Sequence, residues 1–237
     1  LLGFFANVNL SYNRMLFLEY SARNDWSSTL PIKNNHFFYQ AGGVSFIPTE
    51  LFKTQNKWLN YLKIRANAGT AGKGANPYKT ASVFLSNPSF DDYSDVGFQQ
   101  KFPWVTPAGT TVSGYTKGNN IGSPDLKPEL TFTWEVGTDI GLFEDRLKIN
   151  YTYYDKSSKN LLVDVNLPAS SGYLTQTKNI GKISNKGHEL AVVATPIRNL
   201  KNVTLELRMT YSKNTNKVIK VADDVKELAL GGSTDAS

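Results

Sequence analysis

Between Leu130 and Tyr154 the sequence repeats with a period of two, and no other feature restricts the fold as much. Leu130, Phe132, Trp134, Val136, Ile140 and Leu142 share one parity, while Thr131, Thr133, Glu135, Gly137, Asp139 and Gly141 hold the other. After Phe143-Glu144-Asp145-Arg146 the pattern resumes, with Leu147, Ile149, Tyr151 and Tyr153 against Lys148, Asn150, Thr152 and Tyr154. Successive side chains on a strand point to opposite faces, so this stretch predicts a hairpin with one apolar and one polar face. A 3.6-residue helical repeat cannot produce it.

The same alternation marks other strands. Phe4 to Tyr12 and Met15 to Trp26 flank a tight turn at Asn13-Arg14, and Trp58 to Ala68 reads as another strand. Phe37 to Phe46 alternates poorly, and its Gly42-Gly43 pair predicts a bulge or bend. Ile183 to Thr195 and Val203 to Tyr211 are separated by a turn at Pro196 to Lys201. Connections are short after one strand and long after the next. A short helical turn fits within Pro48 to Lys57, and Ser157 to Gly181 is a long polar excursion. From Thr70 to Pro128 the alternation disappears, a length that compact domains reserve for functional or disordered segments.

Short connections at one end and long ones at the other are the pattern of an outer-membrane barrel, as are strands of about 10 to 13 residues. The reading is an all-β chain: an antiparallel transmembrane β-barrel segment of about eight strands with long extracellular loops. Both chain ends read as cuts through a longer protein, with no signal peptide at Leu1. Mean hydropathy is −0.34, far below what a helical span needs. Arg23, Asp25, Arg65, Glu135, Asp139 and Glu189 all fall on the polar parity. A charge facing lipid at mid-membrane costs about 2 to 4 kcal/mol, so these six are expected to line a hydrated lumen. A sandwich with its polar face outside has the same parity, so a soluble or surface binding module such as an adhesin is the rival reading.

Composition removes several chemistries. With no cysteine there is neither disulfide framework nor thiolate site. The net charge of +6 is spread without a basic run, which argues against a nucleic-acid interface. Gly69-Thr70-Ala71-Gly72-Lys73-Gly74 is not a phosphate loop, since Asn67 stands where the first Gly is required and Gly74 where a hydroxyl must hold magnesium. His36 and His188 share no metal spacing, and no G-x-S-x-G elbow occurs. No catalytic set, cofactor or metal site is expected. The acidic run Asp91 to Asp95 lacks an EF-hand pattern and leaves calcium binding open. Phe98, Trp104 and Tyr115, in the long loop, are candidates for contact with substrate or with a lid.

Four segments resemble those of SusC/RagA-type TonB-dependent outer-membrane transporters. Arg23-Asn24-Asp25-Trp26-Ser27-Ser28 is similar to R-x-D-x-S-S, and Leu62-Lys63-Ile64-Arg65 with Gly69 and Gly72 to L-K-I-R-x-x-x-G-x-x-G. Pro124 to Glu129, followed by Glu135-Val136-Gly137-Thr138-Asp139, resembles N-P-x-L-K-P-E and E-x-G-x-D, and Asn179 to Glu189 resembles N-x-G-x-I-x-N-x-G-x-E. Ser123, Lys73 and His188 depart from the pattern. The resemblance implies a whole transporter with a plug domain, absent here, inside a 22-stranded barrel in the outer membrane lipid of a Gram-negative, Bacteroidetes-type bacterium. It implies import of oligosaccharides or peptides, a SusD-like surface lipoprotein as lid, and energy from a TonB complex acting on missing N-terminal parts. The P-x-L-K-P-E segment also occurs in siderophore-type receptors, which keeps that branch open.

Overall fold

A computed structural model describes residues 2–52, 57–86, 104–105, 107–112, 115–200 and 202–220. In chain order the strands are β1 (Leu2–Tyr12), β2 (Leu16–Trp26), β3 (His36–Phe46), β4 (Leu59–Lys73), β5 (Phe84–Ser86), β6 (Trp104–Val105), β7 (Thr111–Val112), β8 (Tyr115–Lys117), β9 (Asn120–Ile121), β10 (Glu129–Leu142), β11 (Leu147–Lys159), β12 (Leu162–Asn166), β13 (Thr175–Asn179), β14 (Lys182–Leu200) and β15 (Val203–Lys220). A single helical turn, α1 (Pro48–Leu51), follows β3 with its proline at the start, where the missing N–H costs nothing. The eight long strands form one antiparallel sheet in the order β1-β2-β3-β4-β10-β11-β14-β15, open at β1 and β15. Three small sheets are built from the rest: β12-β13-β9, β5-β8 and β6-β7.

Register puts the alternation to work. Gly137 pairs with Arg65 on one side and Thr152 on the other, and Glu135 pairs with Asn67 and Tyr154. Val136 pairs with Ala66 and Tyr153. Each parity class therefore lies on one side of the whole sheet, polar on one and apolar on the other. Among the described residues nothing covers the apolar side: Phe4, Leu10, Leu18, Val44, Ile64, Phe132, Leu207 and Met209 are exposed.

The turns at one end are tight. Asn13 and Arg14 both have positive φ, as a type I′ turn demands. Phe143, Glu144 and Asp145 are three successive left-handed residues without a glycine. That conformation costs roughly 1 to 2 kcal/mol per residue, and the neighbouring turn holds it in place. The Phe143 N–H donates to the Trp58 carbonyl at 3.2 Å, their rings meet edge-on at 5.4 Å, and the Asp145 N–H reaches Asn60 Oδ1 at 3.3 Å.

Three boundaries differ from the sequence reading. Across Gly42-Gly43 the pairing of β2 with β3 is unbroken, so there is no bulge. A Cβ on Gly43 would collide with Asn67, so this glycine makes room for a neighbour rather than a bend. The chain does not turn at Pro196. β14 carries on through it, with register shifts between Ala194 and Ile197 and again before Leu200, and ends only at Leu200, with β15 starting at Val203. Proline sits at such an irregularity because it has no N–H to give the ladder. Finally β15 runs on to Lys220 and β4 to Lys73, beyond the end of the hydropathy alternation.

Candidate binding wall and outer rim

The polar side of the sheet is held by side chains that lie across glycines. Arg65 on β4 extends over Gly137 on β10, where a Cβ would stand 2.8 Å from Arg65 Nε. From there the guanidinium donates to Asp139 Oδ1 at 2.7 Å and to Thr152 Oγ1 at 2.6 Å, while Asn150 Nδ2 donates to the same Asp139 oxygen. One turn of pairing away, Asn67 Nδ2 donates to Glu135 Oε1 at 2.8 Å. Tyr154 covers Gly187 in the same manner. The L-K-I-R and E-x-G-x-D segments are thus two halves of one network, the glycine of one making space for the arginine of the other.

Arg23 and Asp25 form a separate pair on β2, with Nε and Oδ1 2.7 Å apart. Asp25 is buried, accepts a second hydrogen bond from the Tyr39 hydroxyl, and fills the space above Gly3. Glu189 stands alone: it is exposed and shares its rung with Thr152 and Ser212. Of the six sequence candidates, then, Arg65, Glu135 and Asp139 share one patch on β4 and β10. Arg23 with Asp25, and Glu189, lie on other strands. The four residues whose charges are mutually neutralised, Arg23 with Asp25 and Arg65 with Asp139, stiffen the wall; Glu135 and Glu189 have no cationic partner in the hydrogen bonds and ion pairs described. Asn67, Thr152, Asn150 and Tyr39 complete these networks and were missed in the sequence because uncharged polar residues on a polar face give no contrast.

At the end with long connections, three loops interlock. Leu126, only 2 % exposed, packs with Leu30, Phe37 and Ala75, and with Tyr39 and Leu162 at the margin. Its segment is clamped by Asn179, whose Oδ1 accepts from the Lys127 N–H and whose Nδ2 donates to the Lys127 carbonyl, both at 2.7 Å. Asn34 Nδ2 donates to the Leu126 carbonyl at 3.0 Å, and Ser123 Oγ donates to the Thr177 carbonyl at 2.5 Å. β9 joins β13 in parallel, so the loops before β10 and before β14 share a sheet. Burial pushes the Asp164 carboxyl up, but hydrogen bonds from Thr177 and Lys79, with the charge of Lys79 at 2.9 Å, outweigh it and hold the group below the usual carboxylate range. The hydrogen bond and charge of Lys33 likewise hold Asp125 low.

The three loop aromatics are not gathered by the described residues. Tyr115 pairs with Ser86 through β8 and β5, and its ring is exposed. Trp104 pairs with Val112 along the backbone, and Phe98 lies outside the described residues, as does the acidic run from Asp91. An unforeseen aromatic contact is Lys117 Nζ, 3.9 Å from the centre of the Tyr173 ring. No group of three acids or histidines that could hold a metal occurs among the described residues. The arrangement offers polar and aromatic contact surface.

A model of the TonB-dependent receptor-like β-barrel matches residues 1–234. The chain belongs to that family. Among its relatives, TonB-dependent receptor P3 of Formosa agariphila is 29% identical over 94% of this chain, and TonB-dependent receptor SusC of Bacteroides thetaiotaomicron is 26% identical over 93%. Each alignment takes in 21% of the relative, so the chain spans about a fifth of their length. Among solved structures, that of the RagAB peptide importer in its closed-closed state matches 94% of the chain and 22% of the other, with a TM-score of 0.77 at 23% identity. The siderophore receptor PirA from Pseudomonas aeruginosa matches at 0.55 and 16%. The SusC/RagA resemblance and the all-β, barrel-type fold read from the sequence are borne out. The eight-stranded antiparallel sheet is the fold of this TonB-dependent β-barrel family, unclosed between β1 and β15 among the described residues.

Proposed function

We propose that the chain is part of the barrel wall of a TonB-dependent importer in the outer membrane of a Gram-negative bacterium, with its apolar face in lipid and its polar face toward the lumen. The carrying observation is the two-faced sheet itself, with tight turns at one end and interlocked loops at the other. Putting the Arg65-Asp139 patch into lipid would cost several kcal/mol. Peptides or oligosaccharides are the cargo this reading favours, supported by the likeness to a peptide importer and to SusC. A SusD-like lipoprotein would sit on the outer rim near Tyr115, Trp104 and Phe98, while plug and TonB contact would belong to parts of the transporter other than residues 1–237. The loop between β4 and β10 would be extracellular.

The test is uptake by the whole transporter carrying Arg65→Ala or Asp139→Ala. Removing one partner leaves the other charge uncompensated in a half-buried network, so the barrel's thermal stability should fall and uptake with it. Unchanged stability and unchanged uptake would remove both residues from wall and passage. Restored growth on a ferric siderophore, and on no peptide or oligosaccharide, would overturn the cargo.

A further inference from the structure

The apolar face is not uniform in charge. Along β1, β2, β3, β4 and β10 the residues of apolar parity carry no Lys, Arg, Asp or Glu among those described. On β11, β14 and β15 the same parity holds Lys159, Lys182, Lys186, Lys213 and Lys217, all exposed, against one carboxylate, Asp155. Asp155 is already engaged by Lys186 at 2.9 Å. The lysines cluster at the end with long loops. Rings interleave with their lower rungs: Trp134 shares a rung with Asp155 and Lys186, Tyr153 and His188 share the next with Lys213, and Tyr151 lies one rung further down. Trp134 and Tyr153 have centres 5.4 Å apart, Tyr153 and His188 4.9 Å apart, and the Tyr151 hydroxyl is 2.7 Å from His188 Nδ1.

Height fixes what this patch meets. A strand tilted about 45° climbs about 2.3 Å per residue, so Lys213 and Lys217 stand about 23 and about 33 Å above Val203, across the upper border of an apolar band about 25 Å tall. Tyr211 and the aromatic row mark that border, as interfacial rings do. Lys217 therefore stands level with lipid headgroups and Lys213 at the border beneath them, both outside the barrel and out of reach of its cargo. Three strands at about 4.8 Å spacing make the patch about 10 Å wide, broader than one phosphodiester.

We infer that the outward face of β11, β14 and β15 binds the headgroup of a phosphorylated glycolipid in the outer leaflet, the lysines meeting its phosphates and the rings set among their lower rungs lying at its sugar–acyl junction. The inference rests on the membrane reading above. It assigns His188 a place in that interfacial row, where a wholly apolar residue would be expected lower down.

The experiment uses the whole transporter in lipid nanodiscs, offered lipid A, dephosphorylated lipid A or phosphatidylglycerol, with bound lipid counted by native mass spectrometry. Lys159, Lys213 and Lys217, which leave the Asp155 pair intact, are changed together to Gln or to Arg. A lysine near an anionic surface is worth about a fivefold change in binding, so the triple Gln variant should hold lipid A on the order of a hundredfold more weakly. The triple Arg variant should hold it as the parent does. Equal retention by the Gln variant, or equal retention of dephosphorylated lipid A or phosphatidylglycerol by the parent, would overturn the inference. Failure of the parent to enter nanodiscs at all would instead overturn the membrane reading, so the two failures are distinct.

Discussion

At the scale of single residues, two glycines on the same sheet should respond differently to one added methyl. A Cβ at Gly137 meets the guanidinium end of Arg65, which can swing away, but only by releasing Asp139 and Thr152. Gly137→Ala should therefore cost about what that charged hydrogen-bonding is worth, about 1.5 to 3 kcal/mol. In an Arg65→Ala background the same change should be close to neutral, which a double-mutant cycle on the barrel's melting temperature would reveal. At Gly69 the new atom would stand 2.6 Å from the Cβ of Ala41 and 3.1 Å from its Cα. No rotamer relieves a clash with a neighbouring strand, so Gly69→Ala should be the more damaging, and a reversed order would refute this account of the wall. The sequence showed Arg65 and Asp139 as charges on a polar parity. That the arginine needed the glycine between Glu135 and Asp139 depended on the register of β4 against β10, which no local pattern encodes.

At the scale of elements, hydropathy found the wall strands wherever one side was apolar and lost them where both sides became polar. Beyond Tyr211 the apolar parity continues as Lys213, Thr215 and Lys217, so the period fades although the ladder persists to Lys220. Thr70 and Gly72 end the signal in β4 for the same reason. The rim was not legible at all. Leu126 is one leucine in a polar loop, and the asparagine that clamps its segment is 52 positions away. Leu126→Ala should cost about 2 to 5 kcal/mol of rim stability. Asn179→Ala should raise hydrogen exchange in residues 122–128 while leaving β10 and β11 protected. Acid should act on the same cap. Because the folded state holds Asp164 below its ordinary value, its contribution is intact at neutral pH and begins to fade near the unfolded value of about 3.9. It is lost as pH falls through the lower, folded value. Exchange in β12 and β13, corrected for intrinsic rate, should be equal at pH 7 and pH 5 and faster at pH 3, with Asp164→Asn abolishing the difference.

At the scale of the molecule, the sheet formed by the described residues shows water two things that a stable soluble domain hides: a broad apolar side and the edge ladders of β1 and β15, unpaired among those residues. Unpaired edges recruit further strands. Residues 1–237 expressed without detergent should form large assemblies, and a monodisperse folded monomer in light scattering would contradict a wall in lipid. Within the whole barrel the consequence falls on the rim. Leu126, Asn179 and Asn34 fasten the three loops above β2, β4 and β11 to one another. On the importer reading this side of the entrance would be a fixed jamb: whatever swings to admit a molecule would be hung elsewhere and close against it.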